Sequence, residues 1–208
     1  MNSRADFLKH CGQTVFDVAI IGGGITGAAL YHQLCERGYK VLLLDKGDFA
    51  CGSSQSSGMM VWGGVLYLRR FDIASVLRFS HARDQLLRDY PALATPEFFR
   101  YLPPSRNTLW RYLVLSSLYA YWLFGCFNRK PPMMESSFEE QSLLGPDRLS
   151  YALKYEEGFL KDADSRFVLQ WITPHQSFDQ VPLNYCGVDS GAFNESRRRW
   201  SIHLQDNL

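Results

Sequence analysis

Hydrophobic and polar positions change period along the chain, and each change predicts an element. From Phe16 to Ile21 a short β-branched-rich apolar run fits a buried parallel strand. Three spaced glycines follow, Gly22, Gly24 and Gly27. Among and beyond them Ile25, Ala28, Ala29 and the Leu30/Leu34 pair recur at helical spacing, which predicts a helix with an apolar face for the sheet. A second apolar run, Val41 to Leu44, ends at Asp45. Farther on, Asp72 to Asp89 reads as a helix with Asp72 as N-cap, Ile73, Val76, Leu77, Ser80 and Leu87 on one side, and Pro91 as its stop. Phe98 to Leu102 predicts a short strand closed by Pro103 and Pro104. Asn128 to Pro146 reads as a linker carrying at most a short helix. Tyr151 to Leu160 predicts a strand, and Asp162 or Asp164 would cap a helix turning Phe167, Val168 and Trp171 inward. At the end Trp200, Ile202 and Leu204 alternate with polar residues like a half-buried strand.

The order strand, glycine turn, helix, strand, acid is that of a dinucleotide site. Gly22 can take a turn conformation that a side chain forbids. Gly24 lets backbone approach a pyrophosphate, and Gly27 lets the helix press onto the strand. The helix N-terminus offers unpaired amides to phosphates. Asp45 at the strand tip can accept both ribose hydroxyl hydrogens, and its charge disfavours a ligand with a further phosphate there, as in NADP. The motif alone does not separate FAD from NAD.

Asp48 to Leu68 packs small hydroxyl residues and glycines where an NAD enzyme would place another amphipathic helix. With its Ser-Ser-x-x-Ser-Gly and Gly-Gly-x-x-Tyr-Leu arrangements, the chain resembles the FAD-dependent oxidoreductases of the D-amino-acid oxidase superfamily, most closely the flavin-linked glycerol-3-phosphate dehydrogenases. The resemblance runs from about Phe16 to Trp171, and Ala163 to Arg166 is similar to the family's Asp-Ala-Arg segment. It implies FAD as cofactor, with Gly22, Gly24, Gly27 and Asp45 holding the adenosine diphosphate half. Ser53, Ser54, Ser57, Gly58 and Gly64 would lie near the ribityl chain and isoalloxazine ring, and Tyr67 near a small-molecule substrate. The implied reaction takes hydride from a carbon bearing oxygen or nitrogen, with electrons leaving later to an acceptor such as quinone. An NAD-linked enzyme of the same broad fold, and a catalytically inactive truncated remnant, are the alternatives.

Departures accompany the matches. Leu66 stands where the resembled enzymes carry a phosphate-contacting arginine before the tyrosine, and Met59 and Trp62 stand where they carry lysine and histidine. Arg69 and Arg70 lie three residues along, a shift expected to point their side chains elsewhere. Glycerol 3-phosphate is accordingly expected to be a poor substrate. The expected fold class is α/β: the amino-terminal part of a FAD-binding Rossmann-like domain with the start of an α+β substrate domain, incomplete. The expected organisation is an N-terminal extension over 1–14, a FAD-binding segment over 15–68, a helical and aromatic segment over 69–150, and a strand-helix-strand portion over 151–208. An amino-terminal fragment or truncated gene product is the reading of length and ending.

Composition adds exclusions. With 208 residues, 21% charged, 46% hydrophobic and a net charge of +1, the chain is ordinary globular sequence without the basic face that nucleic acid requires. Five scattered cysteines fit a reduced cytoplasmic chain. No two of His10, His32, His81, His175 and His203 fall at metal-ligand spacing with one another or with a cysteine, so no metal is expected. Arg4, Lys9 and His10 occupy an N-terminus without the apolar core of a secretory signal. Tyr112 to Phe127 lacks charge but falls short of the roughly 20 residues of a spanning helix. Its favoured reading is burial within the protein. The other is an interfacial helix over 109–127, peripheral to the inner face of the membrane.

Overall fold

The computed structural model describes residues 3–102, 108–136 and 151–208. They form two compact units, one from residues up to Gly58 together with Asp162–Leu208, the other from Met59–Lys161.

In the first unit a parallel sheet runs in the order β1 (Val18–Ile21), β2 (Val41–Leu44), β7 (Gln180–Leu183). β2 is central, and this explains its unbroken apolar run. Val41 and Leu43 join Ile20, Ala28, Tyr31, Cys35, Val168 and Ile172 on one face, while Leu42 and Leu44 join Phe7, Val181, Leu183 and Cys186 on the other. β1 is an edge strand. Ile20 is buried but Ile21 is 68% exposed, so the expectation of a fully buried strand over Phe16–Ile21 is corrected. Helix α2 (Ile25–Glu36) buries Ala28, Tyr31 and Cys35 rather than Leu30, because the tyrosine ring fills the space against α5 (Asp164–Ile172). Ser3 and Asp6 form a capping box for α1 (Arg4–Cys11), whose Phe7 packs under the sheet. A hairpin, β8 (Cys186–Asn194) with β9 (Arg199–Asp206), completes the unit, and Arg4 pairs with Asp206 at 2.6 Å.

The second unit is an antiparallel sheet centred on β6 (Ala152–Leu160), with β4 (Ala94–Tyr101) on one edge and β3 (Met60–Val61) and β5 (Met133–Glu135) on the other. β4 is longer than the strand expected at Phe98–Leu102. Pro96 reads as a breaker in sequence, yet an edge strand tolerates it because one side needs no partner. β5 likewise replaces part of the expected linker; the rest of that stretch, from residue 137, lies outside the described residues. Helix α3 (Ile73–Asp89) matches the expected span and cap, with the Asp72 carboxylate accepting from the Ser75 amide at 3.0 Å. Its buried face is Ser75, Val76, Ser80, Arg83 and Asp84, and the expectation that Leu77 faces inward is corrected by its 45% exposure. Helix α4 (Thr108–Phe124) buries Leu118 and Tyr121 but leaves Tyr112, Leu113, Tyr119 and Leu123 between 44% and 53% exposed. The favoured expectation of full burial is therefore corrected to a half-buried helix. Among the described residues no helix is long and apolar enough to cross a membrane.

Candidate functional site

The first unit assembles most of the residues expected to meet a nucleotide. Gly22 has φ +109°, a left-handed turn for which glycine is suited, and its amide donates to the Leu44 carbonyl at 2.7 Å. A Cβ at Gly27 would stand 1.8 Å from the Gly22 carbonyl oxygen, so the third glycine is the condition for α2 to cross the turn. Gly24 is the N-cap of α2 with no side-chain cap, and a Cβ there would meet Ser54 Oγ at 3.0 Å. That hydroxyl in turn accepts the Ile25 amide at 2.9 Å.

Asp45 is drawn to the same turn. Its Oδ2 accepts the Gly23 amide at 2.7 Å and its Oδ1 the Gly47 amide at 2.9 Å. A carboxylate has about four acceptor positions, so roughly two stay open for ribose hydroxyls. Ser53, exposed, opens a short 3₁₀ turn, Ser53–Gln55, that carries Ser54 to the helix N-terminus. The Ser57 amide donates to Asp164 Oδ2 at 2.8 Å. Hydrogen bonding by Ser57 holds the Asp164 carboxyl below its ordinary value, so this tie persists above that value and is lost as pH falls through the lowered one. Asp164 thus pins the serine segment instead of capping α5, whose N-cap is Ala163. Gly58 is exposed, with open space where a Cβ would go.

The donor set fits FAD. Helix amides with no cap from Gly24, a serine hydroxyl that takes the Ile25 amide and keeps its own hydrogen to give, and a positioned carboxylate suit a diphosphate followed by a ribose.

Gly64 and Tyr67 belong to the second unit. Gly64, at φ +91°, starts a 3₁₀ helix, Val65–Arg70, and a Cβ there would lie 3.2 Å from Phe79 Cβ. The Tyr67 ring stacks on Phe79 at 5.3 Å and tilts against Trp62 at 5.6 Å. Trp62, Leu66, Tyr67, Arg69 and Arg70 line a cavity of about 500 Å³. In a 3₁₀ helix residues i and i+3 eclipse, so Arg69 stands on the face of Leu66 and Arg70 on that of Tyr67. The expectation that a three-residue shift redirects these arginines is corrected, because it did not allow for a three-residue turn.

Behind this helix lies a buried charge cluster that sequence reading missed. Arg83 pairs with Asp84 at 2.7 Å, Glu156 at 3.4 Å and Glu157 at 3.6 Å. Glu157 accepts the Tyr121 hydroxyl at 2.5 Å and the Gly63 amide at 3.2 Å. Burial pushes the Glu157 carboxyl up, against the pull of Tyr121, Arg129 and Arg83. Charged residues inside helix and strand patterns give no local signal of burial.

The fold also gathers His32, Glu36 and His175, from α2 and the turn after α5, with their ligating atoms within 4.8 Å of one another. Sequence spacing cannot show this.

Comparisons with known proteins agree with the nucleotide geometry. A FAD dependent oxidoreductase family model matches residues 17–105. The aerobic glycerol-3-phosphate dehydrogenase of Staphylococcus aureus is 39% identical over 95 residues, which cover 46% of this chain and 17% of that protein. The structure of a glycerol-3-phosphate dehydrogenase from Bacillus halodurans complexed with FAD matches 98% of this chain and 33% of its own, with TM-score 0.63 and 21% identity. A reduced L-alpha-glycerophosphate oxidase from Mycoplasma pneumoniae with FAD bound matches 92% and 50%, with TM-score 0.64 and 17% identity. At those identities the structural likeness shows the fold. Turn and serine segment both fall within residues 17–105, the stretch that matches the FAD dependent oxidoreductase family model.

Proposed function

We propose that this chain carries the FAD-binding portion of an oxidoreductase acting on a small anionic substrate oxidised at a carbon bearing oxygen or nitrogen. The carrying observation is the glycine turn, with Gly27 under the Gly22 carbonyl, Asp45 on the Gly23 amide, and Ser54 beside an otherwise uncapped helix N-terminus. Bound FAD supplies the two-electron acceptor for the substrate C–H bond. The chain's own residues bind and orient. Gly22, Gly24 and Gly27 shape the pyrophosphate cradle, Asp45 takes the ribose, and Ser53, Ser54, Ser57 and Gly58 follow on the same unit toward the ribityl chain.

The test is FAD titration of the purified chain, read by flavin fluorescence. Wild type binds saturably. Gly24→Val forfeits about two amide contacts to phosphate, each worth about 1.5 kcal/mol or more, which weakens binding at least about a hundredfold. Equal binding by Gly24→Val, with an unchanged circular dichroism spectrum, sinks the reading.

The substrate class follows from the cavity, where Tyr67 offers a phenol and Arg69 supplies the cation that Leu66 does not. Arg69→Ala is expected to lower kcat/KM for an anionic substrate such as glycerol 3-phosphate by about tenfold to a hundredfold, one charge-assisted contact. Leu66→Arg in the Arg69→Ala background should restore most of it. Undiminished turnover by Arg69→Ala removes the anion role from this helix.

The exposed aromatic and aliphatic face of α4 supports peripheral contact with the inner face of a membrane, where a quinone-class acceptor would take the electrons. Wild type should float with lipid vesicles and Leu113→Asp/Leu123→Asp should not. Wild type left at the bottom of the gradient rules out this use of α4.

A further inference from the structure

We infer that His32, His175 and Glu36 form a site for a zinc-class transition-metal ion that staples α2 to the turn after α5. His32 Nδ1 and His175 Nε2 stand 2.7 Å apart, and His175 Nε2 lies 3.4 Å from Glu36 Oε1. Bonds of about 2.0–2.1 Å around a tetrahedral ion put neighbouring ligands about 3.3–3.4 Å apart, so the Glu36 to His175 edge is already of that length. The two imidazoles need to open by roughly 0.6 Å to match the same edge.

The surroundings favour ligation over a mere hydrogen-bonded pair. The Trp171 ring lies nearly parallel to His32, at 16° and 6.3 Å, and the Tyr31 hydroxyl donates to the His175 carbonyl at 3.4 Å. Trp171 thus flanks the His32 ring from outside the cluster, and the Tyr31 ring meets the His175 ring edge-on at 6.3 Å. His32 and Glu36 sit one turn apart on α2, the i, i+4 spacing that puts two ligands on one helix face. Two nitrogens and one carboxylate oxygen leave a fourth position for water, and the donor set suits zinc rather than calcium or magnesium, which prefer all-oxygen shells.

Cobalt(II) serves as the probe, because a tetrahedral complex absorbs in the visible where the ligand-free chain does not. Chelator-treated chain titrated with Co²⁺ should show one saturable equivalent with visible bands, displaced by Zn²⁺. His32→Gln and His175→Gln should each weaken binding at least about tenfold, the lower end of what loss of even an outer partner costs a metal site. Glu36 is largely exposed and tolerates replacement, so Glu36→Gln should weaken binding with the fold intact, as circular dichroism will show. Zn²⁺ at about a hundredfold excess over its Kd should raise the thermal midpoint by roughly 5–10 °C in wild type and not in the histidine variants. Wild type without saturable Co²⁺ binding, or unaltered binding by both histidine variants, reduces the cluster to a hydrogen-bonded histidine pair and overturns the inference.

Discussion

Arg83→Met should destabilise the sheet unit by about 3–5 kcal/mol, the cost of removing one partner from a buried ionic cluster. The arginine side chain is 2% exposed and faces Asp84, Glu156 and Glu157, none of whose side chains is more than 8% exposed. Arg129 does not replace it. That guanidinium lies 4.0 Å from Asp84, sits over the Tyr121 ring at 4.2 Å, and has buried nitrogens without hydrogen-bond partners among the described residues. Without Arg83, Glu157 loses one of the cations opposing the upward push of burial and takes up a proton at a higher pH. Arg83→Lys should recover part of the loss, because an ammonium restores charge but cannot span three carboxylates as a planar guanidinium does.

The consequence reaches the cavity. Glu157 holds the Gly63 amide, and the Ser80 hydroxyl holds the Gly63 carbonyl at 3.2 Å, so the cluster anchors the turn from which Val65–Arg70 starts. Hydrogen exchange at β6 amides and the thermal midpoint are the readouts. A loss under about 1 kcal/mol would mean that the carboxylates repack or protonate without cost.

What the sequence declared, it declared through local rules. The glycine turn is legible because its glycines serve short-range clashes and a sign of φ that spacing encodes, and α3 is legible because Asp72 caps an amphipathic period. The rest depends on partners distant in the chain. β7 pairs with β2 although about 140 residues intervene, Asp164 meets Ser57, and His175 meets His32. None of these has a periodic signature. The direction of Arg69 is hidden for a different reason, since it depends on whether the segment turns every 3.0 or 3.6 residues, and an apolar-polar pattern over six residues does not separate the two. The half-exposed α4 shows the limit of composition: an apolar helix announces that it avoids water, not what covers it.

Gly27→Ala should cost more than any other conservative change in the nucleotide turn. Alanine in place of glycine ordinarily gains about 1 kcal/mol inside a helix. Here the added methyl would lie 1.8 Å from the Gly22 carbonyl oxygen and 3.0 Å from the Gly22 carbonyl carbon, both backbone, with Ile20 Cγ2 behind at 3.5 Å. No side chain can rotate away, so α2 or the turn must move by more than 1 Å, and overpacking of this kind costs about 3 kcal/mol or more. The clash outweighs the propensity gain by about 2 kcal/mol at least. Moving α2 also shifts its N-terminal amides off the phosphate position and disturbs the Ser54 to Ile25 bond, so FAD affinity should fall together with the thermal midpoint. Gly58→Ala, where a Cβ meets open space, is the matched control and should change stability by no more than about 0.5 kcal/mol. A Gly27→Ala chain that melts with wild type and binds FAD equally well would show that α2 can ride away from the turn, and that the third glycine does not set how closely helix and strand pack.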